Sequence, residues 1–202
     1  MKLTFQWVLI LKFLTGFYTG VFSQAPAGDS TSLIKLRNMS APVGRKIARS
    51  ELLAGLTQVG STGALLLVPR EITHWSFDSA GYNFKRAWTQ PPVFDHDSWL
   101  FNFAGHPYTG AFMYNTMRSQ GAKPLPSFLF STAQSLIWEY CLESWVEQPS
   151  IQDLIITSNV GSLLGEGIHR ATLRMKRNGF STAEKIFVIV ANPAWWINNG
   201  LK

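Results

Sequence analysis

The sequence predicts an all-α protein, a compact bundle of about four helices that is embedded in a membrane or associated with one. Apolar residues recur with helical spacing in several long segments separated by proline and glycine, and no alternating β-strand pattern of useful length is present. Of the 202 residues, 46% are hydrophobic and only 15% are charged, whereas an ordinary soluble domain has about 25% charged residues. The 8 tryptophans and 14 phenylalanines indicate a very apolar core or contact with lipid.

The first 23 residues have the layout of a secretory signal peptide. A positive start precedes a largely apolar run over Val8–Phe22, and Val21 and Ser23 are small enough for the −3 and −1 positions of a cleavage site. The run is shorter than the roughly 20 apolar residues that a membrane-spanning helix needs. We therefore predict a cleaved leader over residues 1–23, with an uncleaved anchor as the alternative, and an exported protein in the periplasm or associated with the outer membrane.

The net charge of +6 is scattered along the chain and accompanies no recognisable nucleic-acid-binding motif. Anionic membrane lipid or other envelope proteins are the partners that we predict for such a chain, and no nucleic acid is expected. The oligomeric state stays open. Cys141 is the single cysteine, so no internal disulfide can form, and its apolar surroundings predict an inert buried thiol.

A flexible linker is predicted over residues 24–50, which contain proline, serine and glycine without sustained periodicity. A helical domain is predicted over residues 51–202. Its first helix is expected over Glu51–Val68, with Ser50 as the N-cap and a proline directly after the last residue.

Three further helices follow. The second is predicted over Ser98–Ser119 and should be kinked or begin at Pro107, and the third over Ser127–Val146. The fourth covers residues 150–177 and opens with the S-x-x-D spacing of a capping box. Ser181–Ala191 is a short amphipathic or β-prone segment, and the chain ends with a tryptophan-rich stretch.

Each of these three helices carries a stripe of polar or small residues at four-residue spacing, which places the members near one helix face. The stripes are Asn102, His106, Gly110, Tyr114 and Arg118; Ser131, Ser135, Glu139 and Glu143; and Asp153, Thr157, Gly161 and Gly165, with Ser158, Ser162 and Glu166 in an adjacent row. An unpaired charge buried in an apolar bundle costs several kcal/mol. We therefore expect the stripes to face a common centre. The alternative is that the glutamates face solvent and that the aspartate only caps its helix.

This arrangement gives a set of candidate site residues. The candidate catalytic residues are His106, Glu139, Glu143 and Asp153, and the candidate binding residues are Asn102, Tyr114, Arg118 and Glu166. In an enzyme acting on a lipid or a cell-wall precursor, His106 would be the acid or base, Glu139 or Glu143 its partner, and Arg118 an anion contact. The sequence contains no G-x-S-x-G, P-loop or H-E-x-x-H motif.

No cofactor motif is present, so no cofactor and no metal ligand are assigned. A metal-binding bundle stays an alternative, because Glu71 and His74, like Glu166 and His169, have the E-x-x-H spacing of carboxylate-bridged two-metal sites. The G-x-x-x-G spacing of Gly161 and Gly165 predicts close helix packing rather than chemistry.

Motifs between about residues 97 and 192 resemble an uncharacterised family of exported Gram-negative envelope proteins, a domain of unknown function. They are N-x-x-x-H-P-x-x-G from Asn102, W-E-Y-x-x-E from Trp138 and P-S-x-x-D-L-I from Pro149. More distantly, the chain resembles the VanZ-like group of small helical membrane proteins. The resemblance implies an envelope location and no mechanism. The leading prediction is therefore an uncharacterised envelope protein whose polar centre gives packing specificity, with the enzyme and the metal-binding bundle as alternatives.

Overall fold

A computed structural model describes residues 36–94 and 98–202, and it confirms the all-α prediction for this part of the chain. The helices are α1 (Val43–Leu65), α2 (Arg70–Thr73), α3 (Ala80–Thr89), α4 (His106–Arg118), α5 (Pro124–Ile137), α6 (Ile151–Ile155), α7 (Gly161–Arg177), α8 (Thr182–Ala191) and α9 (Pro193–Asn199). The prediction of about four helices is wrong, since short helices lie between and after the long ones. The predicted leader lies outside the described residues.

The segments predicted as the second, third and fourth helices are each interrupted by a π-turn. These turns are Phe101–Gly105 directly before α4, Trp138–Leu142 directly after α5, and Ile156–Val160 between α6 and α7. A π-turn holds one extra residue per turn, so side chains beyond it point in a different direction from those before it. Four-residue stripes therefore change face at these three places.

Helix α1 begins earlier than predicted. It starts at Val43 after Pro42, within the segment predicted to be a flexible linker, because proline is well tolerated where a helix begins. Ser50, predicted as an N-cap, is buried inside α1 and accepts a hydrogen bond from the side-chain amide of Gln120 at 2.9 Å. Among the residues that the structure describes, no helix has both the length and the apolar character that crossing a bilayer requires.

Helix α4 is the central element and packs against α1, α5, α7 and α9. Its closest approach is to α7 and the π-turn before it. A Cβ atom on Gly110 would lie 2.0 Å from the backbone oxygen of Thr157, and one on Gly161 would lie 2.7 Å from the Cα of Gly110. No side chain fits between these backbones, so the glycines set the distance between the two helices that carry most of the predicted site.

The C-terminal helices are tied to α7 by a small apolar core. Trp195, Leu173, Val188 and Leu36 are each at most 2% exposed and pack together. Helix α8, predicted as amphipathic or β-prone, is a helix that begins with a capping box formed by Ser181 and Glu184. Cys141 is exposed, so the prediction of a buried thiol is wrong.

Candidate metal centre

Three metal-ligating side chains from different helical segments converge. His106 directly follows the first π-turn, Glu139 lies in the second, and Asp153 lies in α6 just before the third. One ligand atom from each of the three lies within 4.8 Å of the other two. Glu139 and Asp153 are buried, and His106 is partly exposed. We call His106, Glu139 and Asp153 the three-ligand centre.

The His106 ring is oriented by a contact on each nitrogen. Its Nδ1 lies 2.9 Å from the Thr157 hydroxyl oxygen, and its Nε2 lies 3.6 Å from Oδ1 of Asp153. In the tautomer with a proton on Nδ1, that nitrogen donates to Thr157, and the lone pair of Nε2 faces the carboxylate. A hydrogen bond on the far nitrogen is the usual way in which a metal-binding histidine is held in position.

The two carboxylates are linked through the start of α6. The backbone N–H of Ser150 donates to Oε2 of Glu139 at 2.8 Å, and the Ser150 hydroxyl oxygen accepts from the backbone N–H of Asp153 at 3.1 Å. The backbone on both sides of Ser150 is held by Val93. The Val93 N–H donates to the Pro149 oxygen, and the Ile151 N–H donates to the Val93 oxygen. The predicted N-cap is therefore present, and it positions one ligand relative to another.

The spacing of the centre suits a metal ion. Zinc or a similar ion bonds to nitrogen and oxygen at about 2.1 Å, so two ligand atoms at a tetrahedral angle lie roughly 3.4 Å apart. The observed 3.6 Å between His106 and Asp153 is close to that value. Imidazole and carboxylate groups are ligands of zinc, manganese and non-haem iron, and three protein ligands leave coordination positions open.

A cavity of about 280 Å³ adjoins the three-ligand centre. His106 and Glu139 form part of its wall, together with Glu143 and Thr157. The carboxylate of Glu143 accepts a hydrogen bond from the indole nitrogen of Trp138 at 2.7 Å. Glu143 thus faces the same cavity without belonging to the three-ligand centre.

Three of the predicted binding residues form a second polar cluster. Arg118 donates to both carboxylate oxygens of Glu166 at 2.8 and 3.1 Å, and Tyr114 and Arg170 donate to the same carboxylate at 2.7 and 2.8 Å. Tyr114 and Arg118 lie about 12 and 18 Å along α4 from His106, at 1.5 Å rise per residue. We call Tyr114, Arg118, Glu166 and Arg170 the closed network.

The Glu166 carboxylate is paired with two arginines inside the closed network. Burial alone would raise the pKa of Glu166, but the hydrogen bonds and charge of Arg118, together with Arg170 and Tyr114, outweigh it and lower the pKa to about 2. Burial and the neighbouring Glu166 raise the pKa of the Tyr114 hydroxyl. Arg118, predicted as an anion contact, is 2% exposed and already holds Glu166.

The structure therefore divides the predicted site residues into groups. It brings together His106, Glu139 and Asp153, and it places Glu143 on the same cavity. It places three of the four predicted binding residues in the closed network, and Asn102 is buried in the first π-turn.

Sequence reasoning missed two parts of the site. It assigned no role to Thr157, and it did not anticipate that α1 forms one wall of the cavity. It also sought metal ligands in the two E-x-x-H pairs. Among residues 36–94 and 98–202, neither pair contributes to a group of three potential ligands. The ligands that do converge are single residues on separate segments, which no spacing motif identifies.

A family model described as Domain of unknown function (DUF3943) matches residues 91–194, and the chain belongs to this family. No curated protein and no solved structure matches the chain. The three-ligand centre and the closed network lie inside the matched residues, whereas the cavity wall from α1 lies before them.

Proposed function

We propose that the chain binds one divalent transition-metal ion at the three-ligand centre and uses it to act on a molecule held in the adjoining cavity. The observation that supports this most strongly is the convergence of His106, Glu139 and Asp153 within 4.8 Å. Imidazole nitrogens and carboxylate oxygens are groups that bind divalent transition-metal ions. A cation bound between the two buried carboxylates would offset the cost of burying them, which is several kcal/mol for an ion.

The surroundings of the centre support a reactive ion rather than a purely structural one. Structural zinc sites use four protein ligands, whereas catalytic sites use three and keep a position open. An ion there would supply Lewis-acid chemistry. Glu143 lies on the cavity wall outside the ligand set and is the residue that we propose to accept a proton during the reaction.

Metal titration tests the proposal. Purified protein treated with a chelator should bind one Zn²⁺ or Co²⁺ ion per chain in calorimetry. Asp153→Asn and Glu139→Gln should each weaken binding by at least tenfold, because each removes a charged ligand. Glu71→Gln is the matched control, since it removes an exposed carboxylate from one of the E-x-x-H pairs. Absence of stoichiometric binding, or an equal loss in the control, would contradict the proposal.

A second candidate function is acid–base catalysis by His106 without a metal, in an envelope enzyme acting on a lipid or cell-wall precursor. The 3.6 Å separation of its Nε2 from the Asp153 carboxylate favours this candidate, because a carboxylate stabilises a protonated imidazole. The two candidates differ in the effect of chelation. A metal centre predicts a lower melting temperature after chelation, and acid–base catalysis predicts no change.

We also propose export to the bacterial cell envelope and association with membrane lipid or envelope proteins. The leader-like pattern of residues 1–23 supports export. Helix α8 supports lipid contact, since Ile186 and Val190 are 60% and 62% exposed. Basic residues are Lys185 on α8 and Arg174 and Arg177 in the last turn of α7. Fractionation with mass spectrometry should find a chain lacking about 23 residues in the envelope. A full-length cytosolic chain would contradict the proposal.

A further inference from the structure

The cavity beside the three-ligand centre is largely apolar. Binding a metal ion does not by itself need apolar walls, so these walls call for a separate explanation. Aromatic and aliphatic side chains supply much of its surface, and the ionisable residues in the wall are His106, Glu139 and Glu143. The apolar lining residues are Ala64, Leu65, Trp75, Phe101, Met113 and Trp138. Such walls exclude water and favour an apolar part of a ligand.

The amides in the wall are occupied by protein partners. The side chain of Gln58 donates to the backbone and side-chain oxygens of Gln134, and the Gln134 amide in turn donates to both carboxylate oxygens of Glu51. These bonds direct the amide N–H groups toward protein acceptors. Thr57, Gln58 and Ser61 are the polar residues of α1 in the wall, and the Thr57 hydroxyl donates to the backbone oxygen of Leu53. The end of the α1 wall, formed by Ala64 and Leu65, therefore presents hydrocarbon to a ligand.

The volume limits what the cavity can hold. About 280 Å³ is at the lower end of the roughly 300–1,000 Å³ found for small-molecule pockets. That space suits a single hydrocarbon chain and excludes a lipid that inserts two chains. The polar part of the molecule would lie where the charged residues are.

Exposed apolar residues continue from the cavity onto the surface at two places. Leu66 and Leu67 follow the lining residue Leu65 at the end of α1 and are 54% and 87% exposed. On the other side, Phe103 is exposed near the lining residue Phe101 and stacks on Trp99 at 6.1 Å. Exposed apolar groups around a pocket are typical of proteins that take a ligand from a lipid surface.

We infer that the cavity takes a single-chain amphiphile, with its hydrocarbon chain along the α1 wall and an oxygen-bearing head at the three-ligand centre. The inference rests on the proposed function, because the ion would bind the head. A carboxylate and a phosphate head share the chemistry of a metal-coordinating anionic oxygen. The chain, by contrast, is recognised by walls that contain no metal ligand.

Calorimetry with lauric acid, dodecyl phosphate and acetate tests the inference on the metal-loaded protein. The two long-chain probes should bind at least tenfold more tightly than acetate, and the tighter of the two identifies the preferred head. Ala64→Trp adds an indole to the cavity wall at an exposed position of α1, and it should weaken lauric acid binding by at least tenfold while metal binding stays unchanged. Ala48→Trp is the matched control, an exposed alanine of α1 outside the cavity wall, and it should bind lauric acid like the unaltered protein.

Several results would overturn the inference. Equal binding of acetate and lauric acid would show that the hydrocarbon chain contributes nothing, and undiminished binding in Ala64→Trp would place the chain elsewhere. Ser61→Trp, a second cavity-filling variant, and circular dichroism of both variants guard against misfolding. If no metal binds but lauric acid binding remains sensitive to Ala64→Trp, the metal centre is wrong and the apolar cavity stands. If metal binds and both tryptophan variants bind lauric acid normally, only the inference is wrong.

Discussion

The three-ligand centre and the closed network are two polar clusters that share helix α4, and their charges are arranged differently. In the closed network, two arginines surround one glutamate, and Arg118 holds it with two hydrogen bonds. In the three-ligand centre, two carboxylates face one imidazole beside a cavity. The comparison teaches that burial alone does not identify a candidate site. Convergence of side chains of metal-binding types next to an accessible space is the more useful criterion.

The largest expected effect is on the closed network. Arg118→Met leaves Glu166 buried with less compensating charge, so the free energy of unfolding should fall by about 3–5 kcal/mol. Urea denaturation followed by circular dichroism measures this change. A fall in the free energy of unfolding below about 1 kcal/mol would show that Arg170 and Tyr114 hold Glu166 without Arg118. The closed network would then not be a major source of stability, contrary to the comparison.

Acid should weaken the closed network next. The pKa of Glu166 is lowered from 4.5 to about 2, so its contribution is fully present above pH 4.5 and is lost as the pH falls toward 2. The expected contribution is about 3 kcal/mol. Denaturation at pH 6 and pH 3 should show a loss of about 2 kcal/mol of this contribution in the unaltered protein, since pH 3 is still above the folded pKa, and a smaller loss in Arg118→Met. Equal losses would mean that other carboxyl groups cause the acid sensitivity.

The smallest expected effect on stability is at the three-ligand centre. In metal-free protein, Asp153→Asn removes one of two neighbouring negative charges, so the free energy of unfolding should change by less than about 1 kcal/mol or rise. His106→Gln should behave similarly. A fall of several kcal/mol in the free energy of unfolding of both variants would show that the centre stabilises the fold, as the closed network does. That result is the one expected if the polar centre gives packing specificity.

Several parts of the fold and the site follow from sequence patterns. Four-residue spacing predicted a common centre for His106, Glu139, Glu143 and Asp153, because unpaired polar groups in apolar surroundings are costly. In the structure, ligand atoms of three of these four residues lie within 4.8 Å of one another. The Gly161 and Gly165 spacing correctly predicted close packing. Ser150 was identified as an N-cap from local spacing alone, since its hydrogen bond depends only on neighbouring residues.

Other parts depend on tertiary packing and did not follow from sequence. The π-turns shift the side-chain direction by one residue, which no local sequence pattern indicates. His106 and Arg118 both lie in α4, after the first π-turn, and about 18 Å of helix separates them, so a single stripe contributes to both clusters. The pairing of Arg118 with Glu166 needs the distance between helices that Gly110 sets. The start of α1 at Val43 was missed because Pro42 was taken as a linker residue.

Crystals grown from zinc-loaded protein, with diffraction measured on both sides of the zinc absorption edge, test the account most directly. We predict one anomalous peak about 2.1 Å from Nε2 of His106 and from a carboxylate oxygen of each of Glu139 and Asp153. A peak at Glu71 and His74, or no ordered zinc at the three-ligand centre, would contradict the account.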